Sequence, residues 1–367
     1  MSYWLERYHQ QSGQRIGIIE NFAKLHFIRT ENTIGALEVE LPLLYYNPDE
    51  WWKNQVLEVW KQDGFGQSLQ GETAYFLRNW QLYRNDNYEQ MIRLYAADAN
   101  FLLASRIVAY AAGSAQADKT DEADDMMKAI VRENLGTLAD ATRQIAALTC
   151  EADLSLLPST TKSFSRQNVF NVIRDISDAT KETGTYNVFD VIRTTPCNFE
   201  FRVYKDRRGI DHSRDSSDPR FVGEKYGNLS KPSLEYRGSE EITFVYAGGQ
   251  GEEADRIIKT AQDDSRIGDG YPFNRREYFR DARNCETDAA VQAEADAALA
   301  EGRPKRILTG DLIDMPSMKY GVHFGFGDLL TAEAFGVSMD VHVTSVDITA
   351  GPDGEKIKIS LRGEDAG

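Results

Sequence analysis

Residues 339–362 read MDVHVTSVDITAGPDGEKIKISLR, and this stretch carries the clearest structural signal in the chain. Apolar and polar residues alternate from Met339 to Thr344, and again from Ile357 to Arg362. This period of two is typical of a strand with one buried face. Gly351-Pro-Asp-Gly354 lies between the two runs and has the composition of a tight turn. The stretch therefore predicts a β-hairpin and a chain built mainly from antiparallel strands.

The first ~95 residues show the same pattern in shorter pieces. Residues 37–41 alternate leucine or valine with glutamate, and Val56–Lys61 is a second apolar strand followed by Asp63-Gly64, which suits a hairpin turn. Tyr75–Tyr83 and Tyr88–Tyr95 are aromatic-rich and separated by a polar turn. Several short strands with regular turns predict a barrel or a sandwich.

Helical spacing begins after Asp98. Asp121–Leu135 places its apolar residues three and four apart, with acidic residues crowded at its start, where a helix dipole favours anions. Val169–Ile176 repeats the spacing, so residues 98 to about 183 predict a mainly helical insertion. Thr287–Ala300 is a further, alanine-rich helix.

Strand character returns between the helical segments. Asn187–Ile192, Phe199–Val203 and Ile242–Tyr246 predict strands, and Arg207–Arg220 predicts a polar loop. The predicted order is thus β, helical insertion, β, helical insertion, β. No short internal repeat is visible, and two similar β units below the level of sequence identity remain open.

Bulk properties narrow the class of protein. The chain has 367 residues, of which 41% are hydrophobic, which suits several folded cores and excludes a disordered chain. No apolar run approaches the ~18 residues of a membrane span, since Phe101–Ala112 is broken by Ser105 and Arg106. The N-terminus lacks the features of a signal peptide, so we expect folding in a cytoplasm. Cys150, Cys197 and Cys285 predict no disulfide framework.

The net charge of −16 limits the partners. A strongly anionic protein repels nucleic acids and anionic lipids, so neither is expected as a tight ligand. Two interpretations of the charge stay open: solubility, or a surface that must not hold DNA passing nearby.

Familiar nucleotide motifs are incomplete. Asp121-Glu-Ala-Asp124 resembles a helicase tetrapeptide, but the chain has no phosphate loop, which makes a helix start the better interpretation. Gly248-Gly-Gln-Gly251 is followed by Glu252 and Glu253, which would repel a phosphate. It predicts a turn or bulge, as do Gly64-x-Gly66 and Gly325-x-Gly327.

Other catalytic patterns fail as well. Gly66-Gln-Ser68-Leu-Gln70 lacks the last glycine of a nucleophile elbow, and Asp263–Asn274 lacks the bidentate carboxylate of a calcium loop. Adjacent carboxylates do not face one another on a helix or strand, so they form no acid/base pair. Lys205–Arg220 is nearly neutral and predicts a solvated loop. We therefore assign no catalytic, cofactor-binding or metal-binding residue and expect no enzyme. The histidines show no metal-ligand spacing; they are His9, His26, His212, His323 and His342.

An ordered set of short blocks resembles the baseplate hub, or tail-tip, proteins of long-tailed bacteriophages. The blocks follow the order of that family from near residue 15 to near residue 363. They are Asn21–Phe27, Leu57–Lys61, Ala97–Leu135, Asn187–Asp190, Phe201–Tyr204, Tyr226–Leu229, Gly248–Gly251, Arg276–Arg283 and Gly327–Thr331.

The resemblance implies an α+β, mainly β fold with two tail-tube-like β-barrel domains and two inserted helix-containing domains. Residues 1–97 would form the first barrel, closed by strands near 185–204, with 98–184 as its mainly helical insertion. Residues 205–250 would start the second barrel, 251–303 would be a helix-containing insertion, and 304–367 would complete the barrel. Because the chain ends just after its last strand, we expect no appended spike or enzymatic region.

The same resemblance implies a function. Three copies would form a ring that joins the sixfold tail tube and distal tail proteins to a threefold spike or fibre, in a virion assembled in the host cytoplasm. The equivalent hub of a phage-derived injection machine or gene-transfer particle stays open as a close variant. DNA would cross the lumen without specific binding, and no cofactor is implied. Three chains carry −48, from 3 × −16, which suggests an acidic lumen. The alternative is a protein that binds or hydrolyses cell-wall glycan, with Trp51, Trp52 and Trp60 lining a cleft; core or interface positions explain Trp51 and Trp52 more simply.

Overall fold

The computed structural model describes residues 2–63, 66–109, 117–164, 166–251, 255–268, 272–283, 285 and 287–366. Strands account for 47% and helices for 19%, so the chain is mostly β, as predicted. The strands of the first half are β1 (Ser2–Tyr8), β2 (Arg15–Ile19), β3 (Lys24–Thr30), β4 (Ala36–Pro42), β5 (Val56–Asp63), β6 (Gly66–Leu69), β7 (Tyr75–Arg84), β8 (Gln90–Asp98), β9 (Ala117–Glu122), β10 (Leu148–Cys150), β11 (Ser159–Phe164), β12 (Asn187–Thr195) and β13 (Asn198–Lys205).

The strands of the second half are β14 (Asp211–His212), β15 (Phe221–Gly223), β16 (Leu229–Arg237), β17 (Phe244–Gly248), β18 (Ile258–Gln262), β19 (Glu277–Asp281), β20 (Lys305–Leu312), β21 (Leu329–Ala334), β22 (Val337–Gly351) and β23 (Gly354–Ala366). The α-helices are α1 (Phe101–Ala104), α2 (Ala123–Asn134), α3 (Val169–Glu182), α4 (Asp264–Ile267) and α5 (Asp288–Glu301). Single 3-10 turns occur at Leu43–Tyr45, Pro48–Glu50, Gln70–Glu72, Glu224–Tyr226 and Pro272–Asn274.

The predicted C-terminal hairpin is confirmed as β22 and β23, which pair from His342 to the turn at Gly351 and Gly354. A bulge between Val343 and Ser345 shifts the register, and the buried positions change parity there. Val341 and Val343 are buried before the bulge, whereas Ile348 is buried after it. The bulge explains why the simple alternation of the sequence stops at Thr344.

One continuous sheet of 15 strands joins both ends of the chain. Its main path is β16-β20-β23-β22-β3-β4-β8-β7-β5-β1-β2. The central joint is the antiparallel pairing of β22 with β3, from Ser345 opposite Thr30 to Ala350 opposite Leu25. A single core packs behind both halves and includes Leu25, Leu94 and Ile348. The N-terminal and C-terminal strands are therefore joined edge to edge in one sheet.

The first inserted unit contains more strand than the sequence predicts. The predicted helices appear as α2 and α3, but β9 pairs with β11, and β10 pairs with β13. Strands β12 and β13 form a separate three-stranded sheet with β10 and share its core with α2 and α3. They do not join β1–β8 in the described residues, so the predicted closure of a first barrel by residues 185–204 is wrong there. Their apolar side chains are covered by the helices instead.

The second inserted unit begins earlier than residue 251. Strand β17 forms a small sheet in the order β18-β17-β19, and α5 packs on it through Val291, Ala295 and Ala298. The backbone N–H of Ile242 donates to the carbonyl of Gly302 (2.9 Å) and closes the unit at its base. The helix predicted at 287–300 is confirmed as α5, with the Thr287 side chain accepting from the Ala290 N–H.

The described strands form no closed barrel, because the main path of the large sheet ends at β16 and at β2. The turn expected at Asp63-Gly64 falls partly on Gly64, which lies outside the described residues. The division into two barrel domains stays a proposal, which is taken up below. Within the same residues, no helix is long and apolar enough to span a bilayer.

Candidate functional site

A buried ionic cluster lies where the separate parts of the chain meet. Arg29 of β3 is 4% exposed, and its Nη2 donates to both carboxylate oxygens of Asp190 on β12, at 2.7 and 2.8 Å. Its Nε lies 3.7 Å from the carboxylate of Asp98, at the end of β8. Its Nη1 donates to the carbonyl of Gly71. The side chain of Arg29 thus connects the large sheet to the first inserted unit.

Arg208 brings the second half of the chain into this cluster. Its Nε donates to Asp190 at 2.7 Å, and its Nη2 donates to Glu72 at 3.0 Å. The guanidinium carbons of Arg29 and Arg208 lie 5.0 and 5.2 Å from the ring centre of Phe326. We call the set Arg29, Asp98, Asp190 and Arg208 the ionic joint. Its charges are compensated only when four segments that are distant in the sequence come together: β3, the end of β8, β12 and the segment after β13.

Charges in the ionic joint balance one another. Burial opposes ionisation of Asp190, but Arg29 and Arg208 outweigh it and hold the pKa of that carboxyl below its usual range. Burial raises the pKa of Asp98 to about 6, although Arg29 opposes this shift. A buried charge is tolerated only when it is paired and hydrogen-bonded. The geometry therefore fits a structural connection.

A stacked pair forms a second connection between the units. The rings of Tyr186 and His342 lie 3.9 Å apart and 7° from parallel. The Tyr186 hydroxyl donates to Glu31, and the Lys181 Nζ lies 4.7 Å from the Tyr186 ring centre. Burial, with Lys181 and Arg207, lowers the pKa of His342 to about 4. The neutral imidazole therefore fills this contact between the first inserted unit and β22.

The acidic cluster at the start of α2 anchors a loop. Asp124 accepts from the N–H groups of Leu156 and Leu157 at 3.0 Å. Asp125 accepts from Leu154 and Ser155, and both carboxylates pair with the buried Lys128. The interpretation of Asp121–Asp124 as a helix start is confirmed for Asp124, which lies in the first turn of α2.

The glycine motifs lie at turns and close contacts. A Cβ on Gly249 would lie 2.3 Å from the Val291 Cγ2 of α5, and Gly251 has φ +111°. Glu252, Glu253 and Ala254 lie outside the described residues. Gly327, with φ +82°, precedes Asp328, whose carboxylate accepts from the Gly325 and Ile210 N–H groups. Gly66 begins β6. The close contact at Gly249 and the positive φ angles at Gly251 and Gly327 account for these glycines through the backbone.

Within the described residues, the side chains that could bind a metal ion or react as nucleophiles lie apart or already have partners. No cluster of three histidine, cysteine, aspartate or glutamate side chains that could hold a metal ion occurs in the described ranges. Asp263 accepts from the Ser265 and Arg266 N–H groups at the start of α4, and residues 269–271 of the calcium-like segment lie outside the description. Burial raises the pKa of Cys150 to about 12 and of Cys197 to about 11, so both thiols stay protonated at neutral pH.

Trp51 and Trp60 have different surroundings, and Trp52 is partly exposed beside His9. Trp51 is 4% exposed and lies under Arg7, whose guanidinium carbon is 4.2 Å from its ring centre. Trp60 stacks on Trp4 at 6.2 Å. Two open grooves of about 470 and 550 Å³ flank Glu355, but its carboxylate is engaged by Lys61 (2.7 Å) and the Tyr3 hydroxyl.

The polar segment 205–220 is a solvated loop only in part. Arg207 pairs with Asp211 and Arg220 with Asp218, as expected of a solvated loop. Arg208, however, is buried in the ionic joint. Asp190 carried a usable signal, because it interrupts the apolar run Val188-Phe-Asp-Val-Ile192. A charge in such a strand requires a buried partner, but the sequence did not indicate which one.

Comparison with known proteins identifies the family of this chain. Residues 7–361 match the family model described as Siphovirus ReqiPepy6 Gp37-like protein. The chain belongs to this family. The resemblance to tail proteins of long-tailed phages is thereby confirmed over almost the whole length.

Solved structures with the same fold are also tail proteins. A tail protein from Neisseria meningitidis MC58 matches with TM-score 0.53 and 11% identity, over 100% of this chain and 97% of that one. The 43 kDa tail protein of prophage MuSo2 from Shewanella oneidensis matches with TM-score 0.54 and 12% identity, over 98% of both chains. Prophage tail protein gp18 from Listeria monocytogenes EGD-e matches with TM-score 0.54 and 12% identity, over 99% and 94%.

At these identities the structural likeness concerns the fold alone. A search of curated proteins found no match. The Gp37-like family and its tail-protein fold are consistent with a structural component of a virion rather than an enzyme.

We predict that Arg29→Met strongly destabilises this Gp37-like protein, because Asp190 loses its bidentate partner inside the fold. Breaking a buried ion pair by removing one partner costs about 3–5 kcal/mol. Urea unfolding followed by circular dichroism measures the loss. The matched control is Arg237→Met, which removes an exposed pair with Glu235 and should leave the midpoint nearly unchanged. Equal midpoints for both variants would contradict the role of the ionic joint.

We predict that His342 makes the protein less stable in acid. Its pKa is about 4 in the folded protein, below the ordinary 6.5, so the unfolded chain binds the extra proton between these values. Stability is therefore lost as the pH falls from about 6.5 to 4. His342→Phe keeps an aromatic ring stacked on Tyr186. It should prevent an acid-induced loss of about 1–3 kcal/mol in the free energy of unfolding. Thermal unfolding of both proteins at pH 7 and 4.5 measures it; the contribution of Asp98 is common to both and cancels. A variant with the same acid sensitivity as the wild type would refute the role of His342.

Proposed function

We propose that this Gp37-like protein is a hub component of a phage tail tip, in which three copies form a ring. The observation that carries the proposal is a pair of four-stranded antiparallel sections, each called a four-stranded sheet below, that lie side by side within the continuous 15-stranded sheet of one chain. They are β3-β4-β8-β7 and β16-β20-β23-β22, joined through β22 and β3. Each sheet would belong to one tube-like barrel domain, with the two inserted units at 98–184 and near 242–302.

Two four-stranded sheets in each chain would let a trimer match both sixfold and threefold partners. Three chains with two sheets each present six similar units, so the same ring is pseudo-sixfold at the level of sheets and threefold at the level of chains. Closed rings of identical subunits are the usual outcome of head-to-tail contacts. Such a ring would join a sixfold tail tube and distal tail proteins on one side to a threefold spike or fibre on the other. It would assemble in the host cytoplasm and remain in the virion.

The solvent face of the central strands bears on DNA passage. Lys24 pairs with Glu38 (3.1 Å), Arg93 pairs with Glu40 (2.9 Å), and the side chains alternate in charge across β3, β4 and β8. If this face lines the lumen, passing DNA meets compensated charges. This face favours a nearly neutral lumen in place of the acidic lumen that the net charge of −16 suggested, and that charge would then lie on the rest of the chain. Either version avoids strong attraction to phosphate.

The glycan-active alternative has less support. It requires converging carboxylates and aromatic side chains in a cleft. Glu355, between the two grooves, is engaged by Lys61 and Tyr3, and Trp51 belongs to the core. Family membership and the tail-protein fold favour the hub.

Light scattering combined with negative-stain imaging of the purified chain tests the ring. We expect a mass of about 124 kDa, three times 41.4 kDa, and threefold ring images with a central opening. An incubation with purified cell walls serves as the comparison for the alternative. A compact monomer that releases soluble glycan fragments would replace the hub with an enzyme.

A further inference from the structure

The second inserted unit is joined to the large sheet by two short linkers. Strands β16 and β20 pair as far as Arg237 opposite Lys305. The chain leaves this pair of strands through Gly238–Glu241 and returns to it through Gly302–Pro304. In the part of the chain that the structure describes, the buried side chains of the unit form a cluster of their own. The unit and the large sheet therefore fold around separate cores, with two short stretches of backbone between them.

The two linkers touch one another at the base of the unit. The Ile242 N–H donates to the Gly302 carbonyl at 2.9 Å. A Cβ on Gly302 would lie 2.4 Å from the Ile242 Cβ, so the glycine is what lets the two backbones approach so closely. This contact lets the linkers bend together, because a few residues at the ends of elements are enough to absorb the rotation of a hinge.

Arg276 holds the first linker from the side of the unit. Its Nη1 donates to the Gly238 carbonyl at 3.2 Å, and its Nη2 donates to the Ser239 carbonyl at 2.6 Å. Its own backbone is fixed beside β17, since its N–H donates to the Thr243 hydroxyl (2.8 Å) and its carbonyl accepts from the Phe244 N–H (3.1 Å). A planar guanidinium that binds two consecutive carbonyls restricts the direction in which the linker leaves the unit.

Arg266 of α4 contacts both linkers. Its Nη1 lies 3.3 Å from the Gly302 carbonyl and 3.4 Å from the Glu241 carboxylate. Its Nε donates to Asp263 at 2.8 Å, and the same carboxylate accepts from N–H groups at the start of α4. Arg266 thus connects α4 to the point where the two linkers meet. We call Arg266 and Arg276 the linker arginines.

We propose that the linker arginines hold the second inserted unit at one angle to the large sheet, and that the unit swings about its two linkers when their contacts break. These contacts lie outside both apolar cores, so they can break while the unit and the large sheet stay folded. Local opening of this kind costs less free energy than global unfolding. The device belongs to a single chain and does not depend on the ring proposed above.

Hydrogen exchange followed by mass spectrometry tests the role of the linker arginines. In the double variant Arg266→Met/Arg276→Met, the segment Gly238–Ile242 should exchange roughly 10-fold faster than in the wild type, because charge-assisted hydrogen bonds to the linkers are lost. Strands β17–β19 should keep their wild-type rates. Arg283→Met is the matched control, since it removes an exposed pair with Asp281 inside the same unit. It should exchange like the wild type.

A distance measurement reports the angle itself. Spin labels on unnatural amino acids at the exposed positions Asp296 of α5 and Lys358 of β23 leave the native cysteines unchanged. Electron–electron double resonance on labelled chains in an excess of unlabelled chain gives the distance within one copy. We expect one narrow distribution of distances in the wild type and in Arg283→Met, and a markedly broader one in the double variant.

The inference is overturned by any of three results. The first is a narrow, wild-type distance in the double variant, whatever its exchange rates. The second is a broad distribution in the wild type itself, because the unit would then have no fixed angle. The third is a loss of protection in β17–β19 of the double variant, which would assign the linker arginines to the fold of the unit rather than to its angle.

Discussion

The bidentate contact between Arg29 and Asp190 is the constraint on which the arrangement of the chain depends. These residues are 161 positions apart, and both are almost fully buried. A guanidinium cannot remain in such a place without carboxylates, and Asp190 also holds Arg208. The first inserted unit, the large sheet and the connection to the second half therefore have one compatible placement. Gly71 belongs to the same constraint, since a Cβ there would lie 2.6 Å from the Arg29 Cδ.

These contacts hold the large sheet and the first inserted unit together. The N-terminal and C-terminal halves share a core and pair through β22 and β3, while the inserted units pack outside this path. Apolar burial supplies the bulk of the stability in such a fold. The ionic joint and the Tyr186–His342 stack add specificity, because neither forms unless the first inserted unit lies on β3 and β22.

Local pattern predicted local structure well. The C-terminal hairpin, α2, α3 and α5 followed from periodicity, from composition and, for α2, from the acidic residues at its start, all of which depend on near neighbours in the sequence. The partners of β12 and β13 and the start of the second inserted unit did not follow, because they depend on which distant surfaces cover an apolar face. The ionic joint was missed for the same reason: Asp190 signalled a buried charge, but the partners Arg29 and Arg208 are set by the tertiary fold. Arg208 could not be distinguished by sequence from its neighbours Arg207 and Arg220, whose charges are exposed to solvent.

The central claim is that three copies of the chain close one ring around a lumen. A cryo-electron microscopy reconstruction of the purified assembly, calculated without imposed symmetry, tests it most directly. The account predicts three chains around a central opening, with the four-stranded sheets of each chain surrounding it and Lys24, Glu38, Glu40 and Arg93 facing it. A particle with a different number of chains, or one without a central opening, would contradict it.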